Sequence, residues 1–313
     1  MTVETFPNVH RDAAAVLTTG TFDGVHLGHA AVLRYVVERA RALGGTPTLV
    51  TFDPHPREVL GLGAVDLLTT VADRARLAGD LGIERVVVVP FTRDLSMLSP
   101  EAWVGDLLES AIGLREIVIG YDHRFGHARA GSVDTLRALS VSLGFGVDVV
   151  PEFVVGGGER GLSVSSSEIR DSLRVGDAAG TAARLGRAYA LPGTVVRGAQ
   201  RGRTIGFPTA NLAPVSNRLL VPADGVYATR VAIDGAWHDA MTNVGTRPTV
   251  EQGGGRTIES HLLAFDGDLY GQAIRVAFHD RLRDERRFSG LDALTAQLRE
   301  DAGQARQALS RLS

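Results

Sequence analysis

Five short apolar runs, Val16–Thr19, Thr48–Phe52, Arg85–Val89, Glu116–Ile119 and Val147–Val150, punctuate the first half of the chain. Each of the first four is followed by a segment of helical periodicity, at Leu27–Leu43, Val71–Leu81, Pro100–Ala111 and Ser132–Leu143. Continuous β-branched runs suit strands covered on both faces, and strict alternation with helices predicts an α/β fold with a doubly wound parallel sheet. Right-handed crossovers then place every strand's carboxyl end on one edge, where such sheets bind ligands.

The pattern changes after Gly161. Ser165, Ser166, Ser167 and Glu168 have the form of a capping box and predict a helix through Leu173, with a second over Asp177–Leu185. From Leu191 onward, alternating runs are separated by glycine-containing turns. Gly225–Ile233 alternates, Asp234-Gly235 is a hairpin signal, and Leu269–Phe278 alternates with Ile274, Val276 and Phe278 on one side. An antiparallel barrel or compact sheet is expected, followed by a terminal helix capped by Ser289, carrying Leu291, Leu294 and Leu298 as its apolar stripe and interrupted at Gly303. With 313 residues the chain can build two cores, and the boundary is placed near Gly186, giving domains 1–186 and 187–313. Gly156–Gly158 and Gly253–Gly255 read as loop tips.

Composition removes whole classes of chemistry. Cysteine is absent, and all 33 basic residues are arginine, so thiolate catalysis, Walker A loops and Schiff-base lysines are excluded. A net charge of −3 without a long basic run argues against a nucleic-acid surface, and no stretch reaches the length of a membrane span. The opening MTVETFPNVHRD has neither a cationic nor an apolar segment, so a cytoplasmic protein with small-molecule partners is expected; whether it forms a homo-oligomer is left open.

The segment GTFDGVHLGH joins the first strand to the first helix and carries His26 and His29, three apart, with Gly20, Gly24 and Gly28 for tight turns and close ligand approach. A helix start presents unpaired N–H groups and the positive dipole end, so two imidazoles there point to phosphate handling. TFDPHP at 51–56 and GYDHRFGHARAG at 120–131 follow later strands and should open on the same edge. In the second half, PTAN places a threonine hydroxyl and an asparagine amide two residues apart, oxygen donors suited to a hard cation.

In this order and spacing, GTFDGVHLGH, TFDPHP, GYDHRFG and SSSEIRDSLRVGD resemble the flavin-adenylylating module of the bacterial bifunctional riboflavin kinase/FAD synthetases, within the HxGH nucleotidylyltransferase superfamily of Rossmann-like folds. The resemblance implies in-line attack of the FMN phosphate on the α-phosphorus of ATP, with His26 and His29 on the phosphate oxygens. It further implies Gly20, Phe22 and Gly24 in the ATP loop, Ser165, Ser166 and Arg170 on the β- and γ-phosphates, and Asp53, His55, Pro56 and Asp122 on the flavin side. Ser167 stands where threonine is more usual and His123 where an aromatic residue is more frequent; His123 is given no role.

The second half, GTVVRGAQRGRTIGFPTANL with GVYA, TNVGTRPT, IESHLLAFDGDLYG and RLRDERRF, resembles the riboflavin kinase module of the same family. That implies ATP contacts at Gly198, Arg203, Gly206, Thr209 and Asn211, Mg²⁺ held through Thr209 and Asn211, and Glu259 as the base for the ribityl 5′-hydroxyl, with riboflavin, FMN and FAD as substrates or products. Arg283 and Phe288 are expected to close the site or pack the last helix, while Arg247 reads as a turn residue and Tyr227 as core or rim. A non-catalytic, flavin-binding barrel is the main alternative; tRNA aminoacylation is disfavoured by the absence of lysine, and flavin-responsive RNA binding by the lack of a basic patch.

Overall fold

The computed structural model describes residues 1–120, 124–151, 164–198, 202, 205–246 and 256–311. The chain divides into two compact units, Met1–Ser166 and Ser167–Ser313. Asp122, His123, Arg203, Arg247 and both predicted loop tips lie outside the described residues.

The first unit holds a six-stranded sheet: β1 (Thr2–Thr5), β2 (Ala15–Thr19), β3 (Thr46–Asp53), β4 (Arg85–Pro90), β5 (Glu116–Gly120) and β6 (Gly146–Val150). Its order is β1-β4-β3-β2-β5-β6, with every pairing parallel. Adjacent residues on a strand point to opposite faces, and the core divides accordingly. Val16, Leu49, Val86 and Val118 pack with Leu33, Val36, Ala75 and Ala78, whereas Leu17, Val50, Val87 and Ile117 pack with Trp103, Leu108, Ile112 and Leu136. Each fully buried aliphatic side chain stabilises the fold by about 1.5–3 kcal/mol, which is why the runs tolerate no polar face. From β2 the order runs outward through β3 on one side and β5 on the other, so the topological switch point falls at the end of β2.

Two elements depart from the sequence reading. Strand β1 is a polar, largely exposed edge strand without hydrophobic periodicity; it is held by Glu4, which pairs with Arg85 of β4 at 3.0 Å. The helix expected over Pro100–Ala111 is α-helical only across Pro100–Ala102 and continues as a π-helix over Trp103–Ile112. Its buried positions, Trp103, Val104, Leu107, Leu108 and Ile112, fit a turn of 3.6 residues and the wider π turn about equally, so periodicity alone cannot separate them.

The second unit begins with the helices Ser166–Arg174 and Ala178–Leu185, the latter capped by Asp177 and ended by Gly186 at φ 72°. A closed antiparallel barrel follows: β7 (Tyr189–Val196), β8 (Ala210–Pro214), β9 (Gly225–Ile233), β10 (Ala236–Thr246), β11 (Arg256–Leu262) and β12 (Ala273–Arg283), ordered β10-β11-β8-β7-β12-β9. Asp234 and Gly235 turn β9 into β10 with positive φ of 47° and 84°, as a two-residue hairpin requires. Inside the barrel Tyr227 packs edge-on to Phe278 at 5.3 Å and donates its hydroxyl to the Ala223 carbonyl, which settles it as core. The strand expected at Leu269–Phe278 lies instead at Ala273–Arg283: Gln272 N donates to the Leu269 carbonyl and Gly271 has φ 79°, so those four residues are a turn.

The terminal helix Leu291–Ser310 is also corrected. Gly290, not Ser289, is its N-cap, and Gly303 does not interrupt it. A helical glycine costs about 1 kcal/mol, which the burial of Ala302, Ala305 and Leu309 against Ala228 and Met241 offsets. Arg283 anchors the helix to β12 through three hydrogen bonds to Asp301, a fully buried carboxylate that also accepts from Gln297.

Candidate active sites

After β2 the chain passes through Gly20–His26 into the helix Leu27–Leu43. Within this loop Phe22, Gly24 and Val25 take φ of 46°, 87° and 40°. Glycine adopts such angles freely, but phenylalanine and β-branched valine do so at about 1–3 kcal/mol each. Both side chains are buried in the core, which offsets much of that strain.

His26 is the N-cap of the helix: its Nδ1 accepts from the His29 backbone N–H at 3.2 Å, which places the proton of the neutral ring on Nε2. The two imidazoles stack with centroids 3.6 Å apart, and the Phe22 ring lies 4.7 Å from His29. They therefore stand together as expected, with one ring on the cap rather than both within the helix. Gly20 and Gly28 serve close approach, since a Cβ on Gly28 would lie 3.3 Å from the His26 ring and one on Gly20 would lie 3.0 Å from Phe22. The hydroxyl of Ser166, the last residue of the first unit and the first of the helix Ser166–Arg174, donates to the Asp23 carbonyl at 2.8 Å. Arg170 is buried in the same helix.

A cleft of about 730 Å³ opens at the same sheet edge. Gly20 belongs to both loop and cleft, and His55 and Pro56 line it. Its apolar wall contains Phe52, Phe91 and Trp103, with the Phe52 ring 5.7 and 5.6 Å from the other two, and Arg57, Arg93, Arg124 and Arg129 supply positive charge. Aromatic walls with a cationic rim suit a planar, anionic ligand. Asp53 is solvent-exposed and is not part of the lining. The sequence reading missed the aromatic wall because its members sit on three separate elements, each of which reads as core.

The second site lies on the outer face of the barrel. Ser260 is fully buried and donates to or accepts from Thr242, which bonds Thr229 in turn, so this face of β11 points inward. Glu259 is therefore on the opposite face, directly across from Asn211 of β8 and Asn243 of β10. The Thr209 hydroxyl approaches Glu259 Oε2 at 3.5 Å. A Cβ on Gly198 would collide with the Asn211 amide, so glycine is required there for close approach, and Gly206 has φ 81°.

Thr209, Asn243, Glu259 and His261 line a cavity of about 530 Å³ whose apolar side is formed by Ile205, Phe207 and the first turns of the terminal helix. The apolar stripe of Leu291, Leu294 and Leu298 lines this cavity; Leu298 also packs against the core cluster of Ala302, Ala305 and Leu309, while Leu291 is 66% exposed. Arg283 both lines it and packs the helix, matching the role expected for it, while Phe288 lies under Arg283 and Arg286 at 5.7 and 5.1 Å. His261 Nδ1 lies 2.8 Å from the Pro208 carbonyl, and burial holds its pKa below the usual histidine value despite that bond. Asn243 and His261 carry no role in the sequence reading; the spacing of His261 two residues beyond Glu259 is a signal for it, whereas Asn243 reaches the site only through its cross-strand pairing with Glu259. Among the described residues no cluster of three or more His, Cys, Asp or Glu side chains forms a metal centre. The oxygen donors of Thr209, Asn211 and Glu259 nevertheless fit Mg²⁺, which keeps waters and phosphate oxygens in its shell and needs few protein ligands.

A histidine pair at a helix start on a parallel sheet, and an acid beside a threonine on a closed barrel, define a two-module transferase acting on phosphates. The comparisons with known proteins narrow that class. The FAD synthetase family model matches residues 8–168 and the riboflavin kinase model residues 185–309. Bifunctional riboflavin kinase/FMN adenylyltransferases of Pseudomonas fluorescens, Bacillus subtilis and Escherichia coli K12 are 37%, 34% and 36% identical, covering 95%, 96% and 93% of this chain and 93%, 94% and 92% of their own. A solved structure described as a macrolide-efflux protein from Streptococcus pneumoniae superposes with TM-score 0.85 at 29% identity, covering 96% of this chain and 98% of its own. Among the described residues no helix is long and apolar enough to cross a membrane. The chain belongs to the bifunctional riboflavin kinase/FMN adenylyltransferase family.

Proposed function

We infer that this chain makes flavin cofactors in two steps, phosphorylating riboflavin with ATP to FMN in the barrel unit and adenylylating FMN with ATP to FAD in the parallel-sheet unit. The observation that carries this reading is that one chain contains both intact donor sets: stacked His26 and His29 at a helix N-terminus, and Thr209, Asn211 and Glu259 together on one barrel face.

In the first step Glu259 accepts the proton of the ribityl 5′-hydroxyl as that oxygen attacks the γ-phosphorus and ADP departs. Thr209 and Asn211 would hold Mg²⁺, which when bound would neutralise charge on the ATP phosphates. Gly198 and Gly206 allow close approach of ATP, and Arg203 is proposed as a further ATP contact. In the second step a phosphate oxygen of FMN attacks the α-phosphorus of ATP, the bond to pyrophosphate breaks, and no enzyme-bound intermediate forms. His26 donates from Nε2 and His29 supports the same oxygens, while Gly20, Phe22 and Gly24 shape the loop. Ser165 and Arg170, with the helix start at Ser166, are proposed to hold the β- and γ-phosphates. The cleft lined by His55 and Pro56 is proposed to take the flavin, and Asp53 and Asp122 are proposed as further flavin-side residues.

Gly186 is proposed as the boundary between the catalytic modules, supported by its left-handed helix-ending conformation and by the limits of the two family matches. ATP dependence of both steps supports a cytoplasmic location. Incubation with riboflavin, ATP and Mg²⁺ is expected to yield FMN and then FAD by chromatography; absence of either product across metals and flavin redox states rejects the corresponding step.

A further inference from the structure

We propose that Asp23, Thr69 and Arg74 form a buried latch that positions the histidine loop for adenylyl transfer, an inference that rests on the reading of His26 and His29 given above. Asp23 is fully buried, and its carboxylate accepts from the backbone N–H groups of Leu68 and Thr69 at 3.0 and 2.9 Å and from the Thr69 hydroxyl at 3.0 Å. The same hydroxyl accepts from Gly24 N at 2.9 Å. A second arm reaches the loop two residues earlier: buried Arg74 donates to Thr51 Oγ1 at 2.7 Å, and that hydroxyl donates to the Thr21 carbonyl at 3.1 Å. Thr21, Asp23 and Gly24 are thus each tied down, and they bracket Phe22, whose φ is positive, while Gly24 is followed by Val25, whose φ is also positive.

His26 follows Val25 directly, so any relaxation of Val25 toward ordinary backbone angles swings the cap and both stacked rings with it. The strain marks a loop that would leave this geometry if released, and the latch is what opposes release. It also has a place in substrate handling. The segment that follows β3 lines the cleft with His55, Pro56 and Arg57, is closed by Val65 N donating to Glu58 Oε1 at 3.3 Å, and ends in Leu68 and Thr69. One stretch of chain therefore builds a wall of the cleft and clamps the phosphate loop. Asp23, Thr69 and Arg74 do not line the cleft, so they act through the loop as positioning residues.

The test is steady-state FMN adenylylation by the full chain carrying Thr69→Val, which removes the hydroxyl at constant volume, and Thr69→Ser, which keeps it. Riboflavin phosphorylation by the same preparations is the internal control. Thr69→Val is expected to lower kcat for FAD formation about 10- to 100-fold with KM for ATP changed less than about threefold, because misplacing a reacting group by about 1 Å costs of that order. Thr69→Ser is expected to recover most of the loss, and riboflavin phosphorylation to stay within about twofold throughout. Asp23→Asn, which keeps the size but turns an amide N–H toward Leu68 N, should give the same split if Thr69→Val fails to fold. Wild-type kcat in Thr69→Val below its melting temperature overturns the proposal, as does a rise in KM at constant kcat. Loss of the folded first unit in both variants also overturns it, in favour of a purely structural role. A wild-type chain that phosphorylates riboflavin but makes no FAD from supplied FMN fails earlier, at the reading on which the proposal rests.

Discussion

The two sites reach similar phosphate chemistry by opposite means. In the parallel-sheet unit the proposed phosphate ligands are backbone and imidazole at a helix start, beside residues of positive φ and a buried carboxylate held by polar contacts. In the barrel Glu259 and Asn211, the proposed base and metal ligand, fall side by side with Asn243 through antiparallel register on adjacent strands. A site made by a held loop should respond to substitutions that never touch substrate; a site made by register should respond mainly at the residues themselves.

The sharpest test of that contrast is Glu259→Gln, expected to lower FMN formation by about 10²- to 10⁴-fold while FAD formation from supplied FMN is unchanged, read by product chromatography. Equal loss of both activities would break the separation. Next in size is Asp301→Ala, which leaves the Arg283 guanidinium, 18% exposed, without the carboxylate that now receives it. Breaking a buried pair in this way costs about 3–5 kcal/mol, so the barrel's denaturant midpoint should fall clearly, with FMN formation falling as the terminal helix detaches from the cavity. His29→Ala is expected to lower FAD formation by about 10²- to 10³-fold with riboflavin phosphorylation intact, again by product analysis. If His29→Ala also halted phosphorylation, the two sites would not be independent.

The architecture was legible because it is written in local periodicity. Continuous β-branched runs between helical stripes mark every buried strand of the first sheet, and Asp234-Gly235 marks the β9–β10 hairpin of the barrel. Strand β1 was not legible, because Thr2–Thr5 is exposed and gains its place from Arg85, over eighty residues away in sequence. Sequence shows the amphipathicity of Leu291, Leu294 and Leu298 without showing that this apolar face meets a cavity as well as the core. Among the proposed site residues, His26, His29 and Glu259 carry recognisable motifs, whereas Asp23 sits in the same histidine motif but its partner Thr69 lies in a stretch without one, so their contact depends wholly on tertiary structure.

Protonation supplies the smallest contrast and a probe of the barrel alone. Burial lowers the pKa of His261 and His279 below the unfolded value near 6.5; for His279 the neighbouring Arg230 adds to the effect and Asp239 opposes it, and for His261 Arg306 adds while the Pro208 carbonyl opposes. A histidine whose folded pKa is depressed binds fewer protons in the native than in the unfolded state once the pH drops below the unfolded value. Its contribution to stability is therefore complete above about pH 6.5 and declines as the pH falls from there through the folded pKa. Hydrogen exchange at the amides of β9 and β12 should accordingly report a barrel that opens more readily at pH 5.5 than at pH 7.5, by more than intrinsic exchange chemistry explains. His279→Gln removes one of the two titrating groups without adding a charge, so it should flatten that dependence; an unchanged slope would assign the acid sensitivity elsewhere in the barrel.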